Sequence, residues 1–174
     1  TATEFINFWK KYFEYAIELG RKGLWKDNTT VMILKKIYGI PDLNACYNRP
    51  CGAGLLQLAY NQWGDVYACD EARSFEVFKL GNVKENTFDE IIKSNDVLNL
   101  ISLSSGYATI CDACPWKPFC NPCLVCSYGQ HRNIVPLMPL DYMCKIRGKQ
   151  VELVFRKLLF DKVAKEVFMR WLGA

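Results

Sequence analysis

The sequence predicts an α+β fold: a small cysteine-rich, metal-bound domain with a β-hairpin and loops, flanked by N-terminal and C-terminal helices. Three observations predict it. Long stretches of apolar residues at three- and four-residue steps lie toward the two ends of the chain. In the middle, two short apolar stretches flank an Asn61-Gln62-Trp63-Gly64-Asp65 turn. Five thiols then crowd into residues 111–126, CDACPWKPFCNPCLVC, a segment too short to bury an apolar face of its own. Its order must come from what the sulfurs bind. The organisation that follows is a helical lead-in over 1–40, a thiol-bearing domain over 41–145 and a C-terminal helix over 146–174.

Residues 3–20 read as an amphipathic helix, with Phe5, Phe8, Trp9, Tyr12, Phe13, Ala16 and Leu19 on one stripe. Thr1 and Glu4 have capping-box spacing, and Gly20 and Gly23 stop the helix. So wide an aromatic stripe suggests packing on something outside the chain. A second helix runs from about Asn28 to Tyr38. Pro41 to Pro50 is a loop carrying Cys46, and the glycines of Cys51-Gly-Ala-Gly allow close backbone approach or positive φ. Leu55–Tyr60 and Val66–Cys69 form the hairpin, which returns Cys69 toward Cys51. Phe75–Leu80 reads as a third strand. Thr87 and Glu90 open a helix that Asn95 and Asp96 interrupt or recap and that continues to Ser105-Gly106. Residues 127–139 read as loop. Asp141 is placed to cap a last helix, with Cys144 in its first turn, where the helix dipole favours a thiolate. The helical pattern then runs from Val151 through Trp171.

Composition narrows the function classes. The chain has 174 residues, 51% of them hydrophobic, which is material for a packed core. A net charge of +4 is too small an excess to argue for nucleic acid. No run approaches a membrane span, and the first residues lack signal-peptide order. Nine cysteines are an odd number, and bridges between Cys-x2-Cys neighbours would close very small loops. A reducing cytoplasm with thiols kept for metal is the simpler setting. The spacing Cys111-x2-Cys114-x5-Cys120-x2-Cys123-x2-Cys126, with Cys46, Cys51, Cys69 and Cys144 elsewhere, exceeds one tetrahedral set and suggests two sites. Spacing alone leaves iron and zinc both open. His131 reads as exposed rather than as a ligand, and Arg73 as a partner of Glu71 or of a substrate carboxylate.

Counted as Cys51-x12-Gly64-x4-Cys69, then Cys111-x2-Cys114-x5-Cys120-x2-Cys123, then Cys144, the thiols resemble the SPASM domain, the auxiliary-cluster domain of radical S-adenosylmethionine (SAM) peptide-modifying enzymes. The departure is x2 rather than x3 between Cys120 and Cys123. The segments CGAG, QLAYN, GDVYACDEAR, FKLGNV, WKPFCNPC and MCKI are similar to the B-type maturases of His-Xaa-Ser systems.

The resemblance implies two [4Fe–4S] clusters, with a pair of structural zinc ions in an interaction module as the alternative. The first cluster would take Cys51, Cys69 and Cys123, with Cys46 as a fourth ligand; the second would take Cys111, Cys114, Cys120 and Cys144. Cys126 is then spare, or replaces Cys123. Asp70 matches the position of the base that deprotonates substrate in sulfatase-maturing relatives; its structural alternative is a cap of the turn after the hairpin. The Cys-x3-Cys-x2-Cys triplet that holds the SAM-cleaving cluster does not occur in the sequence. SAM and a third cluster would therefore belong to a barrel outside this chain, in the same polypeptide or a separate subunit, that generates a 5′-deoxyadenosyl radical. This chain alone should be inactive. Its implied work is electron transfer and positioning of a peptide or small-protein substrate, with residues 1–40 ending the missing barrel.

Overall fold

A computed structural model describes residues 1–42, 46–105 and 109–173. In chain order its elements are α1 (Ala2–Arg21), α2 (Asn28–Ile37), β1 (Ala59–Tyr60), β2 (Asp65–Tyr67), β3 (Lys79–Asn82), α3 (Phe88–Ile92), α4 (Asn95–Ser104), α5 (Thr109–Asp112), α6 (Leu124–His131), α7 (Tyr142–Phe160) and α8 (Lys162–Leu172). Short 3₁₀ turns span Glu71–Ser74, Glu76–Phe78 and Lys117–Phe119. The chain divides into a first unit, Thr1–Asp42 with Pro118–Cys120 and Tyr142–Ala174, and a second, Leu43–Lys117 with Asn121–Asp141. The part of the 41–50 loop at residues 43–45, and Gly106, lie outside the described residues. Among the described residues no helix is long and apolar enough to cross a membrane.

The first unit is helical. α1 opens on the capping box that Thr1 and Glu4 predict. Its buried face, Trp9, Phe13, Ala16 and Ile17, packs against α7 and α8. Phe13 lies 6.0 Å from Phe168 ring to ring, and Gly20 lets Val167 and Trp171 of α8 approach where a Cβ would stand 2.7 Å from each. Much of the aromatic stripe is thus covered by the chain itself, while Phe5 and Phe8 stay 41% and 64% exposed. Asp27 caps α2 through the Thr30 amide at 2.8 Å and accepts the Tyr12 hydroxyl at 2.8 Å, tying α2 to α1. The C-terminal helical pattern is broken where its periodicity gives no sign. Asp161 accepts the Ala164 amide at 3.0 Å and starts α8 as a separate helix. The Asp161 side chain satisfies an amide that the start of a new helix leaves free.

The second unit is built on an antiparallel sheet in the order β1-β2-β3, with Ala59 opposite Tyr67 and Val66 opposite Gly81. Val66, Ala68, Phe78 and Leu80 bury into one core with Ile91, Val97, Leu100, Leu124 and Val125. The hairpin is shorter than its apolar run suggests. The Gly52 carbonyl accepts from the Leu55 and Leu56 amides, so the chain turns there and leaves both leucines half exposed. The third strand is also displaced. Phe75–Phe78 coil as a 3₁₀ turn that sends both rings inward, and pairing begins only at Lys79. α3 opens on the Thr87–Glu90 capping box, and Ser94, not Asn95, caps α4.

The hairpin turn is fixed by Asn61, whose Oδ1 accepts the Trp63 and Asp65 amides at 3.0 Å each. Gly64 sits at φ 92°, where an added Cβ would come within 2.9 Å of Val83. A side chain there meets left-handed strain and a clash together. Gly64→Ala is expected to destabilise this unit by about 1–3 kcal/mol in thermal or denaturant unfolding. Asp65 accepts from Lys79 Nζ at 2.7 Å, Asn82 Nδ2 at 2.8 Å and Asn61 Nδ2 at 2.9 Å. These donors, Lys79 foremost, lower its carboxyl to about 2 from 3.8. A depressed folded-state value stabilises the fold above the unfolded-state value. That contribution fades as pH falls from about 4 toward 2. Asp65→Asn is expected to lower stability at pH 7 and to flatten the acid limb of unfolding followed by circular dichroism.

Candidate metal centre

Two thiols come together in the second unit because two backbone features aim at one place. Cys69 lies two residues past the end of β2, and its buried side chain is part of the core. Cys123 is the N-cap of α6, where its Sγ accepts the Cys126 amide at 3.5 Å and it packs against the same core. The two thiols lie close enough to act on each other electrostatically. Burial pushes the Cys69 thiol up to about 12, opposed by the Ala72 amide that donates to it. A thiol so placed ionises only beside a cation that takes up its charge.

The Gly54 amide donates to the Ala68 carbonyl at 2.8 Å, which fastens the Cys51-Gly-Ala-Gly turn to the residue before Cys69. Gly54 holds φ 82° to do so. The Cys51 amide donates to Ser104 Oγ at 3.0 Å, at the end of α4. Cys46 is exposed, and Cys126 is half-buried in the first turn of α6.

The Cys111–Cys114 pair is closed by a turn in which the Cys114 amide donates to the Cys111 carbonyl at 3.2 Å and the Lys117 amide to the Cys114 carbonyl at 3.1 Å. Burial raises the Cys111 thiol, and the Arg49 and Lys117 charges oppose that rise. Cys120 and Cys144 belong to the first unit, where Phe119 meets Phe155 of α7 edge-on at 5.0 Å and Cys144 occupies the first turn of α7.

Among the described residues no three His, Cys, Asp or Glu side chains converge on a point as one bound ion requires. The donor chemistry nonetheless fits an iron–sulfur group. The candidates are all thiols, soft ligands suited to such clusters, and Cys69 has the burial that makes a compensating cation necessary.

Several expectations are corrected. Residues 127–139 are not all loop: α6 occupies Leu124–His131, with Leu124 and Val125 buried and Tyr128 edge-on to Phe75 and Phe78. The Leu124, Val125 and Tyr128 spacing carried that signal, behind the unusual cap Cys123. His131 is not exposed. Its Nε2 lies 2.8 Å from Oδ1 of Asp141, whose side chain is 2% exposed, a charge-pairing distance without hydrogen-bond alignment. Arg73 pairs with Asp70 at 3.5 Å rather than with Glu71. Asp70 stands at the cap position of the Glu71–Ser74 turn, yet its side chain makes no capping bond. It is 65% exposed and accepts Gln57 Nε2 at 3.1 Å, in a groove walled by Tyr60, Trp63 and Tyr67.

Residues 51–115, just over a third of the chain, match the family model of SPASM, an iron–sulfur cluster-binding domain, as the cysteine spacing suggested. More particularly, the chain is 29% identical over 107 residues to a cysteine-type anaerobic sulfatase-maturating enzyme of Clostridium novyi (strain NT), a match covering 62% of this chain and 26% of that enzyme. It superposes on the solved structure of polyhistidine-tagged anSMEcpe with bound AdoMet at a TM-score of 0.72, with 21% identity, over 99% of this chain and 44% of that one. Native anSMEcpe with bound AdoMet and Kp18Cys peptide matches at 0.63, with 20% identity, over 96% and 43%. At such identity the structural likeness speaks for the fold. The chain spans about a quarter of the curated relative and under half of the solved chains. None of these matches bears on the finer resemblance to His-Xaa-Ser maturases.

If Cys69 and Cys123 hold one cluster and Cys111 and Cys114 another, each Cys→Ala change should remove about one cluster's iron. Cys126→Ala should leave the content unchanged if Cys46 is the fourth ligand of the first. Iron and sulfide analysis after anaerobic loading checks this.

Proposed function

We propose that this chain is the auxiliary-cluster part of a radical SAM enzyme that modifies a ribosomally made peptide or small protein in the cytoplasm. The observation that carries the reading is the pairing of buried Cys69 with Cys123 inside a chain whose 51–115 segment matches a cluster-binding domain. Cys51, Cys69 and Cys123, with Cys46, hold a first [4Fe–4S] cluster; Cys111, Cys114, Cys120 and Cys144 hold a second. When bound, the clusters supply one-electron acceptors whose potentials depend on burial and local charge. The SAM-binding barrel lies outside these residues. The greater length of the relatives supports its being part of the same polypeptide.

The chain's own contribution to chemistry is a proton acceptor at an electron-accepting site. Asp70 follows Cys69 directly and turns the opposite way, out into the groove. Gln57 donates to Oδ2 and Arg73 stands beside Oδ1, so the carboxylate is held without being buried. It is placed to take the proton that leaves a substrate lying in the groove, while Tyr60 and Trp63 offer apolar walls to a peptide side chain.

The test uses the full-length enzyme, loaded anaerobically and given SAM and a candidate peptide. Asp70→Asn is expected to lower the rate of modification about 10²–10⁴-fold, with iron content and SAM cleavage retained. Unimpaired modification would remove Asp70 from the chemistry. Zinc in place of iron and sulfide, in protein prepared without added zinc, would reject the redox function altogether.

A further inference from the structure

We propose that the Ser127 hydroxyl donates a hydrogen bond to a sulfur of the cluster held through Cys69 and Cys123, and so raises that cluster's reduction potential. The inference rests on the cluster reading above and gives a role to a residue which that reading leaves idle. Ser127 lies on the buried face of α6, with Leu124 and Tyr128, which pack in and against the core that contains Cys69. Its side chain is 0% exposed. Its Oγ nonetheless has no hydrogen-bond partner among the described residues. A buried hydroxyl left unpaired is destabilising, and alanine would fill the same place in a helix without that penalty.

The helix fixes where the hydroxyl can reach. Cys123 is the N-cap of α6, and the Ser127 amide donates to its carbonyl at 3.0 Å, so the two residues stand one turn apart. Helical side chains lean toward the N-terminus, which lays that of Ser127 over the turn beginning at Cys123. The usual acceptor for a helical serine hydroxyl is the carbonyl four residues back. Here that carbonyl takes the Ser127 amide and not the hydroxyl. Cys123 Sγ already accepts the Cys126 amide at 3.5 Å. The sulfide sulfurs of a [4Fe–4S] group lie next to its cysteine ligands and are acceptors of the kind the hydroxyl lacks. A donor to sulfur is bound more strongly when the group carries an added electron, so it favours the reduced state.

The experiment is an EPR-monitored redox titration of the full-length, anaerobically loaded enzyme. Cys111→Ala removes the second cluster's signal and so assigns the first. Ser127→Ala deletes one unpaired atom and suits a helix; its iron content should match the wild type. Its first cluster is expected to shift about tenfold toward the oxidised form, about 59 mV downward, with the second cluster moving less. In protein exchanged into D2O, the ENDOR spectrum of the reduced first cluster should lose one deuteron coupling in Ser127→Ala. An unchanged or raised potential, equal shifts on both clusters, or an unaltered deuteron spectrum would each overturn the inference, and a trapped water would then be the partner of the hydroxyl. Loss of the first cluster's iron in Ser127→Ala would overturn it as well, since a donor to sulfur tunes a cluster and does not hold it. Wild-type enzyme that shows no first-cluster signal would instead sink the cluster reading, and this proposal with it.

Discussion

The constraint on which the second unit depends is the burial of a thiol that must carry charge to be useful. Cys69 belongs to the core formed by Val66, Ala68, Phe78 and Leu80, and its thiol is pushed up to about 12 by that burial. Left as a thiol it is a small hydrophobe and costs nothing. As a metal ligand it is a thiolate in an apolar place, tolerable only if positive charge arrives with it. The surrounding backbone is arranged for that arrival. The Ala72 amide donates to Cys69, and the Cys126 amide donates to Cys123 Sγ. Amide donors to sulfur favour the charged form and tune any cluster the sulfurs hold.

The sheet serves this end rather than being an end in itself. Three strands of two to four residues are too short to be stable alone. They are held by the Asn61 turn, by Asp65 bridging to Lys79 and Asn82, and by α3, α4 and α6 packed beneath. The result places the end of β2 at the core and Gly54 against it, so that the Cys51 turn and Cys69 are coupled through a hydrogen bond between Gly54 and Ala68. Glycine at 54 and 64 has separate reasons: one permits that approach, the other a turn with positive φ.

Much of this was legible in the residues. Both capping boxes, the hairpin turn and the helical ends follow local rules that tertiary context did not override. The failures have separate causes. α6 begins on a cysteine cap, which the usual Ser, Thr, Asp and Asn signals do not include. The break at Asp161 hides inside an unbroken apolar period, because α7 and α8 both bury against α1. The 3₁₀ turn at Glu76–Phe78 exists because Phe75 and Phe78 both have to reach Tyr128 on α6, a demand no local pattern records. His131 and Asp141 meet across a loop that gives no sign of it in sequence. Ligand identity was readable from thiol spacing only as far as resemblance carried it.

The adjacency of Cys69 and Asp70 has a consequence for how an oxidation could be organised. Past the end of β2 the chain bends into the Glu71–Ser74 turn, with Asp70 at helical φ −59° and ψ −46°, so that Cys69 lies in the core and Asp70 in the open groove. An oxidation that takes an electron and a proton from one substrate needs acceptors for both within a few ångströms of the same atom. The single turn after β2 could meet that need with neighbouring residues. In the proposed function the core-facing thiol would lead toward the cluster, and the groove-facing carboxylate, steadied by Gln57 and Arg73, would meet the proton. The separation matters as much as the proximity. A carboxylate inside the core would be neutralised by burial and lose its basicity toward the groove, and a thiolate in the groove would be open to oxidation. The turn that follows β2 keeps each group in the medium its chemistry requires.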